Sequence, residues 1–217
     1  MTRPRVDIVI ATRNAHKVRE LTRLLPLTGV RWHSLAEFPA VPPVREDGRT
    51  YTANAIKKAR AAARATGMPA LADDSGLEVR ALDWAPGIRS ARFAGAHGDD
   101  GANNAKLLRL LDGVPPAKRG ARYQCVLALA APDGRIMLAR GTWRGRIALK
   151  SAGRGGFGYD PLFWLPGLGK TVGQLPVRRK HRLSHRARAA ARMLPMLRRF
   201  VRTSPQGNPS TRFARSG

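Results

Sequence analysis

The nine residues Gly153-Arg154-Gly155-Gly156-Phe157-Gly158-Tyr159-Asp160-Pro161 combine four glycines in six positions with two aromatic rings and a carboxylate. Glycine removes the side chain where a backbone must come close to something. The rings and carboxylate suit a flat, partly polar ligand, with a ring to stack on and an acceptor for ring N–H groups. Read alone, the stretch is equally a turn-rich hairpin loop. Thr12-Arg13-Asn14-Ala15-His16-Lys17 lies between an apolar run and a helical pattern. Such a turn aims backbone amides and the positive helix end at an anion, and Lys17 adds a point charge suited to phosphate. The glycines of a Walker-type loop are missing, and an ordinary capped turn reads the same way.

Asp73-Asp74-Ser75-Gly76 is expected at the end of a strand. Adjacent carboxylates on a strand point to opposite faces, so both need not serve one site. A carboxylate facing phosphates is a natural Mg²⁺ ligand, or a base for a water; the alternative is an Asp-Ser-Gly turn. Glu46, in the loop before the second helix, could supply a second oxygen ligand. Lys180 and Ser184-His185-Arg186 put four donors within seven residues. A donor-rich pocket favours a purine with a 6-oxo acceptor and rejects adenine, which would leave donors unpaired. For most arginines of the segment 178–188, a solvated basic helix start is the simpler reading.

The elements that must position these residues follow from periodicity and punctuation. Val6 to Ala11 reads as a buried strand. Asn14 caps a helix with Val18, Leu21, Leu24 and Leu25 at helical spacing, ended by Pro26. A second strand is expected over Val30 to Ser34, and an alanine-rich helix over Thr52 to Thr66, closed by Gly67. Pro69 to Asp73 is a third strand and Asp100 to Leu111 a helix. Arg119 to Ala131 and Arg135 to Thr142 pair across a Pro132-Asp133-Gly134 turn. Ser184 caps a final helix whose apolar face is Ala187, Ala190, Leu194, Leu197 and Val201, with Pro195 as a kink. This alternation predicts a mixed α/β fold whose middle portion forms a second lobe, with a ligand cleft between lobes. Residues 1–202 are expected to form one two-lobed domain and Thr203 to Gly217 a disordered basic tail.

Composition sets the outer bounds. The chain has 217 residues, enough for one substantial domain or two small lobes, and 43% hydrophobic content to build a core. No apolar run is long enough for a transmembrane helix, and the N-terminus lacks the apolar segment of a signal peptide. The single cysteine, Cys125, fits a reducing cytoplasm and reads as a buried structural thiol. Net charge is +26, and the final 57 positions carry no acidic side chain. A basic surface attracts polyanions. The surplus is spread along the chain and is mostly arginine, so it argues only weakly for a nucleic-acid partner.

Six segments together resemble the inosine triphosphate pyrophosphatase family, the dITP/XTP pyrophosphatases, in its bacterial branch. They are Ile10-Ala11-Thr12-x-Asn14-x-x-Lys17-x-x-Glu20-Leu21, Asn54-Ala55 with Lys58-Ala59, Ala72-Asp73-Asp74-Ser75-Gly76-Leu77, Ala85-Pro86-Gly87-Ile88-x-Ser90-Ala91-Arg92, Gly155 to Pro161, and Ser184-His185-Arg186. They stand in family order over about residues 6 to 200. The resemblance implies an elongated two-lobed α/β fold with a central nucleotide-binding cleft, acting as a homodimer. It implies Mg²⁺-dependent hydrolysis of ITP, dITP or XTP to monophosphate and pyrophosphate. Carried over, Asp74 is the general base or metal-held carboxylate and Glu46 its metal partner. Thr12, Arg13, Asn14, Ala15, His16, Lys17, Lys58 and Ser75 would hold phosphates. Phe157, Gly158, Tyr159, Asp160, Lys180, His185 and Arg186 would hold the base. Arg13, Ala53, Arg178, Arg179 and Ala187 depart from the family pattern. Ala53 stands where a glutamate is usual, and with the high charge it motivates a rival: a catalytically impaired nucleic-acid-binding protein on the same scaffold. The intact acidic and Ser-His-Arg segments argue against that rival. A related enzyme acting on modified pyrimidine nucleotides is a third reading, which the base-pocket segment disfavours.

Overall fold

A computed structural model describes residues 6–204. One mixed sheet carries seven strands in the order β2-β1-β3-β4-β5-β6-β7. β1 (Val6–Ile10) pairs in parallel with β2 (Val30–Ser34) and β3 (Ala70–Val79). Its residues Ile8, Val9 and Ile10 are fully buried, as expected of a strand enclosed in a parallel arrangement. The two parallel crossovers are helical. α1 (Ala15–Leu24) is capped by Asn14, whose side chain accepts from the amides of His16 and Lys17. α2 (Tyr51–Thr66) is capped by Thr50 and ends at Gly67, which takes the left-handed conformation at φ 66°. Its alanines 55, 59, 62 and 63 are buried, where a small side chain lets the helix backbone lie close to its neighbours.

α3 (Asp100–Leu110) follows β3, and β4 (Gly120–Ala130) and β5 (Ile136–Ile147) are joined by the expected turn. There Ala131 donates to the Arg135 carbonyl at 2.9 Å. The short strands β6 (Phe163–Leu165) and β7 (Lys170–Thr171) extend the sheet in antiparallel pairing. α4 (Val177–Leu183) and α5 (His185–Thr203) complete the chain. Among the described residues no helix is long and apolar enough to cross a membrane.

Two compact units divide the described chain. One draws on residues 6–74, 126–139 and 190–204, and the other on Ser75–Cys125 and Arg140–Ala189. Each has its own core. In the first, Val9, Leu35 and Val41 pack with the α2 alanines and with Val126, Ala128 and Ala130. In the second, Leu77, Val79, Leu107, Tyr123, Trp143 and Phe163 cluster. The Tyr123 and Phe163 ring centroids lie 4.6 Å apart. Cys125 is buried.

Several elements differ from expectation. β3 does not stop at Asp73 but continues through Asp74-Ser75-Gly76 to Val79, because Leu77 and Val79 are fully buried in the core of the second unit. The acidic pair is thus mid-strand. β5 runs five residues past Thr142, to Ile147. β6, β7 and α4 were not expected as separate elements. The buried face of α5 is Ala189, Ala190, Met193, Leu197 and Phe200, while Ala187, Leu194 and Val201 are only half-buried. The core takes the stripe bearing the larger Met193 and Phe200. Pro195 lies inside α5, which continues beyond it to Thr203, so the helix reaches the first residue assigned to the tail. Residues 205–217 of that tail lie outside the described residues.

Candidate functional site

The first unit gathers the acidic and phosphate-type residues. Thr12 to Lys17 forms the turn between β1 and α1, where Thr12 Oγ1 accepts from the Asn14 amide at 3.2 Å. Asn14 Oδ1 accepts from the His16 amide at 2.9 Å and the Lys17 amide at 3.2 Å. Arg13 does not face outward alone; its guanidinium donates to the Val41 carbonyl at 2.6 Å and ties the turn to the loop after β2. His16 Nδ1 lies 3.1 Å from the Arg19 guanidinium. Ala15 begins α1 and is exposed.

Two lysines face the acidic residues. Lys17 Nζ lies 3.3 Å from Asp73 Oδ1. Lys58, on α2, lies 3.1 Å from Glu46 Oε1 and 3.5 Å from Asp74 Oδ1. Asp74 Oδ2 is buried with no hydrogen-bond partner among the described residues. Burial is the main cause that pushes the Asp74 carboxyl up to about 6; Lys58 opposes it, and Glu46 and Asp73 add to it. Burial works against the Lys58 ammonium, but Asp73, Asp74 and Glu46 outweigh it and leave that pKa above its ordinary value. No group of three or more His, Cys, Asp or Glu side chains among the described residues could hold a metal ion. Mg²⁺ does not need such a cage, since it commonly takes one or two carboxylates plus substrate phosphates and waters. Glu46 and Asp74 offer that hard-oxygen pair, and the unpartnered Asp74 Oδ2 is an acceptor without a donor. The residues therefore fit a divalent cation.

The second unit gathers the ring and the donors. Asp160 is buried, and its Oδ2 accepts from Lys180 Nζ and, at 3.0 Å, from the Phe157 amide. Its Oδ1 lies 3.5 Å from the Tyr123 hydroxyl. Burial, then the charge of Asp160, raises the Tyr123 hydroxyl well above its usual pKa. Tyr123 also stacks on the His185 imidazole at 4.6 Å with 12° between the planes. Phe157 is 51% exposed. Lys180 Nζ sits 4.3 Å and Arg186 Cζ 5.9 Å from its ring centroid. Arg186 is buried and donates to Ser75 Oγ at 3.3 Å. Tyr159 lies in the core and donates to the Ser90 carbonyl at 2.9 Å. The Ser184 hydroxyl accepts from the Ala187 amide at 3.1 Å, as a cap should.

Each unit thus brings its own part of the expected set together. Four further residues support them. Asn54 is buried, accepts from the Gly48 amide at 2.8 Å and hydrogen-bonds Asp74. Its place in the Asn54-Ala55 segment was the signal for it. Tyr123, Asp100 and Asn104 carried none, since each reaches the Phe157 loop only through the fold.

Comparison with known proteins gives one family. The model of the Ham1 family matches residues 8–196. A dITP/XTP pyrophosphatase of Desulforamulus reducens is 53% identical over 195 residues, spanning 90% of this chain and 97% of the relative. One of Rhodopirellula baltica is 49% identical over 199 residues, spanning 91% and 96%. The solved structure of a HAM1 protein from Coxiella burnetii is similar with a TM-score of 0.83 at 39% identity, covering 88% of this chain and 98% of that one.

Proposed function

The chain belongs to the Ham1 family, and from that premise we propose that it hydrolyses deaminated purine nucleoside triphosphates (dITP, XTP and ITP) to the monophosphate and pyrophosphate. The observation that carries this reading is Asp74: a buried carboxylate with one oxygen beside Lys58 at 3.5 Å and the other unpartnered. A nucleoside triphosphate has a polyanionic end, which suits Lys17 and Lys58, and a base, which suits the Phe157 ring with Lys180 and Arg186.

Glu46 and Asp74, with the substrate's phosphates, would hold Mg²⁺. When bound, that ion offsets charge on the leaving pyrophosphate. Lys17, Lys58, Ser75 and the amides of the Thr12–Lys17 turn bind phosphate oxygens. Lys58 stays charged at working pH because its carboxylate neighbours hold its pKa up. Asp74, with a pKa of about 6, is mostly ionised at neutral pH and takes the proton of the attacking water. The water oxygen bonds to the α-phosphorus as the bond from that phosphorus to the bridging oxygen breaks. Pyrophosphate leaves with the electron pair, and the water proton resides on the Asp74 carboxyl.

Phe157 presents its exposed ring to the purine. Lys180, His185 and Arg186 supply donors for the 6-oxo group, and adenine would leave them unpaired. Asp160 contributes mainly by anchoring Lys180 and the Phe157 amide, and Gly158 and Tyr159 by fixing the loop between them. We also read the chain as a cytoplasmic homodimer, as the family resemblance implies; sedimentation of the full chain as a monomer would overturn the dimer. The decisive experiment is a nucleotide panel with Mg²⁺ that measures pyrophosphate separately from orthophosphate. ITP or XTP should be cleaved on the order of 10²-fold better than ATP, with pyrophosphate as the product. Equal turnover of ATP, or release of orthophosphate alone, refutes the reading.

A further inference from the structure

Phe157 stands in an awkward place for a binding ring. It is half exposed and lies between Gly156 at φ 82° and Gly158 at φ 63°. Two flanking glycines give a backbone wide freedom, and a ring carried on it would lose that freedom on each binding event. The structure contains a device that removes it. On the N-terminal side, the Phe157 amide donates to Asp160 Oδ2 at 3.0 Å. On the C-terminal side, both polar groups of Gly158 are taken by α3. The Gly158 amide donates to Asp100 Oδ2 at 2.6 Å, and Asn104 Nδ2 donates to the Gly158 carbonyl at 3.0 Å. Asp100 and Asn104 are four apart on one helix, so they lie on the same face, one turn from each other. α3 is in turn seated in the core of the second unit by Leu107, which is fully buried.

We propose that Asp100 and Asn104 are positioning residues that clamp Gly158 and thereby set the Phe157 ring for the base. The inference rests on the reading of Phe157 as the base platform. Each acts through the backbone of Gly158, next to the ring. With the clamp in place, the ring is held beside the Lys180 ammonium and the Arg186 guanidinium before substrate arrives. With the clamp removed, the ring still exists but must be ordered by the substrate.

The test is a double-mutant cycle with steady-state kinetics on ITP and ATP in Mg²⁺. Asn104→Ala places a strong helix former at a half-buried position of α3, and Asp100→Ala, at an exposed one, gives a second variant should the first fold poorly. Each should raise KM for ITP about fivefold, the scale of one net hydrogen bond, with kcat changed less than about twofold. In a Phe157→Ala background the same substitutions should have almost no further effect, because there is no ring left to position. An unchanged KM in both single variants overturns the clamp. So does a fall in kcat at constant KM, or an equal rise in KM with and without the ring. If Phe157→Ala itself leaves KM and the ITP preference unchanged, the base-platform reading fails instead, and the clamp fails with it.

Discussion

Replacing Asp74 with Asn should make the metal-free protein more stable at pH 8 while removing most of its activity. Burial raises the Asp74 carboxyl from an ordinary 3.8 to about 6. The folded protein therefore binds its proton more tightly than the unfolded chain does. Between about pH 4 and pH 6 the folded state holds more protons, so stability falls as pH rises through that window and stays lower above it. A shift of about two units sets a ceiling of about 3 kcal/mol on this penalty. Asparagine keeps the shape, carries no charge and does not titrate. That shift already includes the opposing pull of Lys58 at 3.5 Å, and in the variant Lys58 keeps Glu46 at 3.1 Å and the field of Asp73. A net gain of about 2 kcal/mol corresponds to a rise in melting temperature of roughly 4–8 °C for a domain of this size. The assay is thermal unfolding of both proteins in EDTA at pH 8 and at pH 4.5. The difference should be full at pH 8 and fall to about a third at pH 4.5, where folded Asp74 is protonated but the unfolded carboxyl is still mostly ionised. Titrating groups remote from Asp74 are common to both proteins and cancel. With Mg²⁺ and ITP, the variant's kcat should fall by roughly 10²-fold or more. A variant that is less stable than wild type at pH 8, or a difference independent of pH, would refute the account of Asp74 as a buried carboxylate held at a cost.

Asp73→Asn should reduce turnover far less than Asp74→Asn, by less than about tenfold, because its carboxylate holds Lys17 at 3.3 Å and the proposed mechanism gives the proton transfer to Asp74; a dead Asp73 variant beside an active Asp74 variant in the same pyrophosphate assay would reverse the assignment. Gly156→Ala should cost at least about 2 kcal/mol in urea unfolding and raise KM for ITP. Gly156 has φ 82°, and a Cβ there would collide with the Asp160 carboxylate that anchors Phe157 and Lys180; wild-type stability and KM would show that the loop tolerates a shifted Asp160.

What the sequence made legible was mostly local. An asparagine before an apolar helical pattern announced α1, and Asn14 caps it. A glycine after an alanine-rich run announced the end of α2, and Gly67 takes the left-handed conformation. β2 matched from Val30 to Ser34, between Gly29 and the turn over Leu35–Glu37 that Ser34 caps. The extension of β3 was not legible. Asp, Ser and Gly are poor strand formers, and only the packing of Leu77 and Val79 in the second core carries the strand through them. The phase of α5 failed for a related reason. Its sequence offers two apolar stripes one residue apart, and the choice falls to the tertiary partner that accommodates Met193 and Phe200. β6 and β7 have three and two residues, too few for any periodicity to be read.

The glycine-rich stretch shows where local reading of a site reaches its end. Its composition said that a backbone must approach something closely, and it could not say what. In the fold, a Cβ on Gly153 would strike the Gly173 backbone and one on Gly156 would strike Asp160. Both glycines make room for the protein itself. The ring of the stretch that faces outward is Phe157, and the groups that fix the backbone beside it are Asp160 from within the segment and Asp100 and Asn104 from α3. Asn104 is 54 positions from Gly158 in sequence. No spacing rule links a helix residue to a loop glycine that far away, and an isolated Asn on a helix reads as a solvated polar residue. The chemistry-bearing side chains of this chain were therefore recognisable from their types and order, whereas the residues that hold them still became visible only through the hydrogen bonds that the fold brings together.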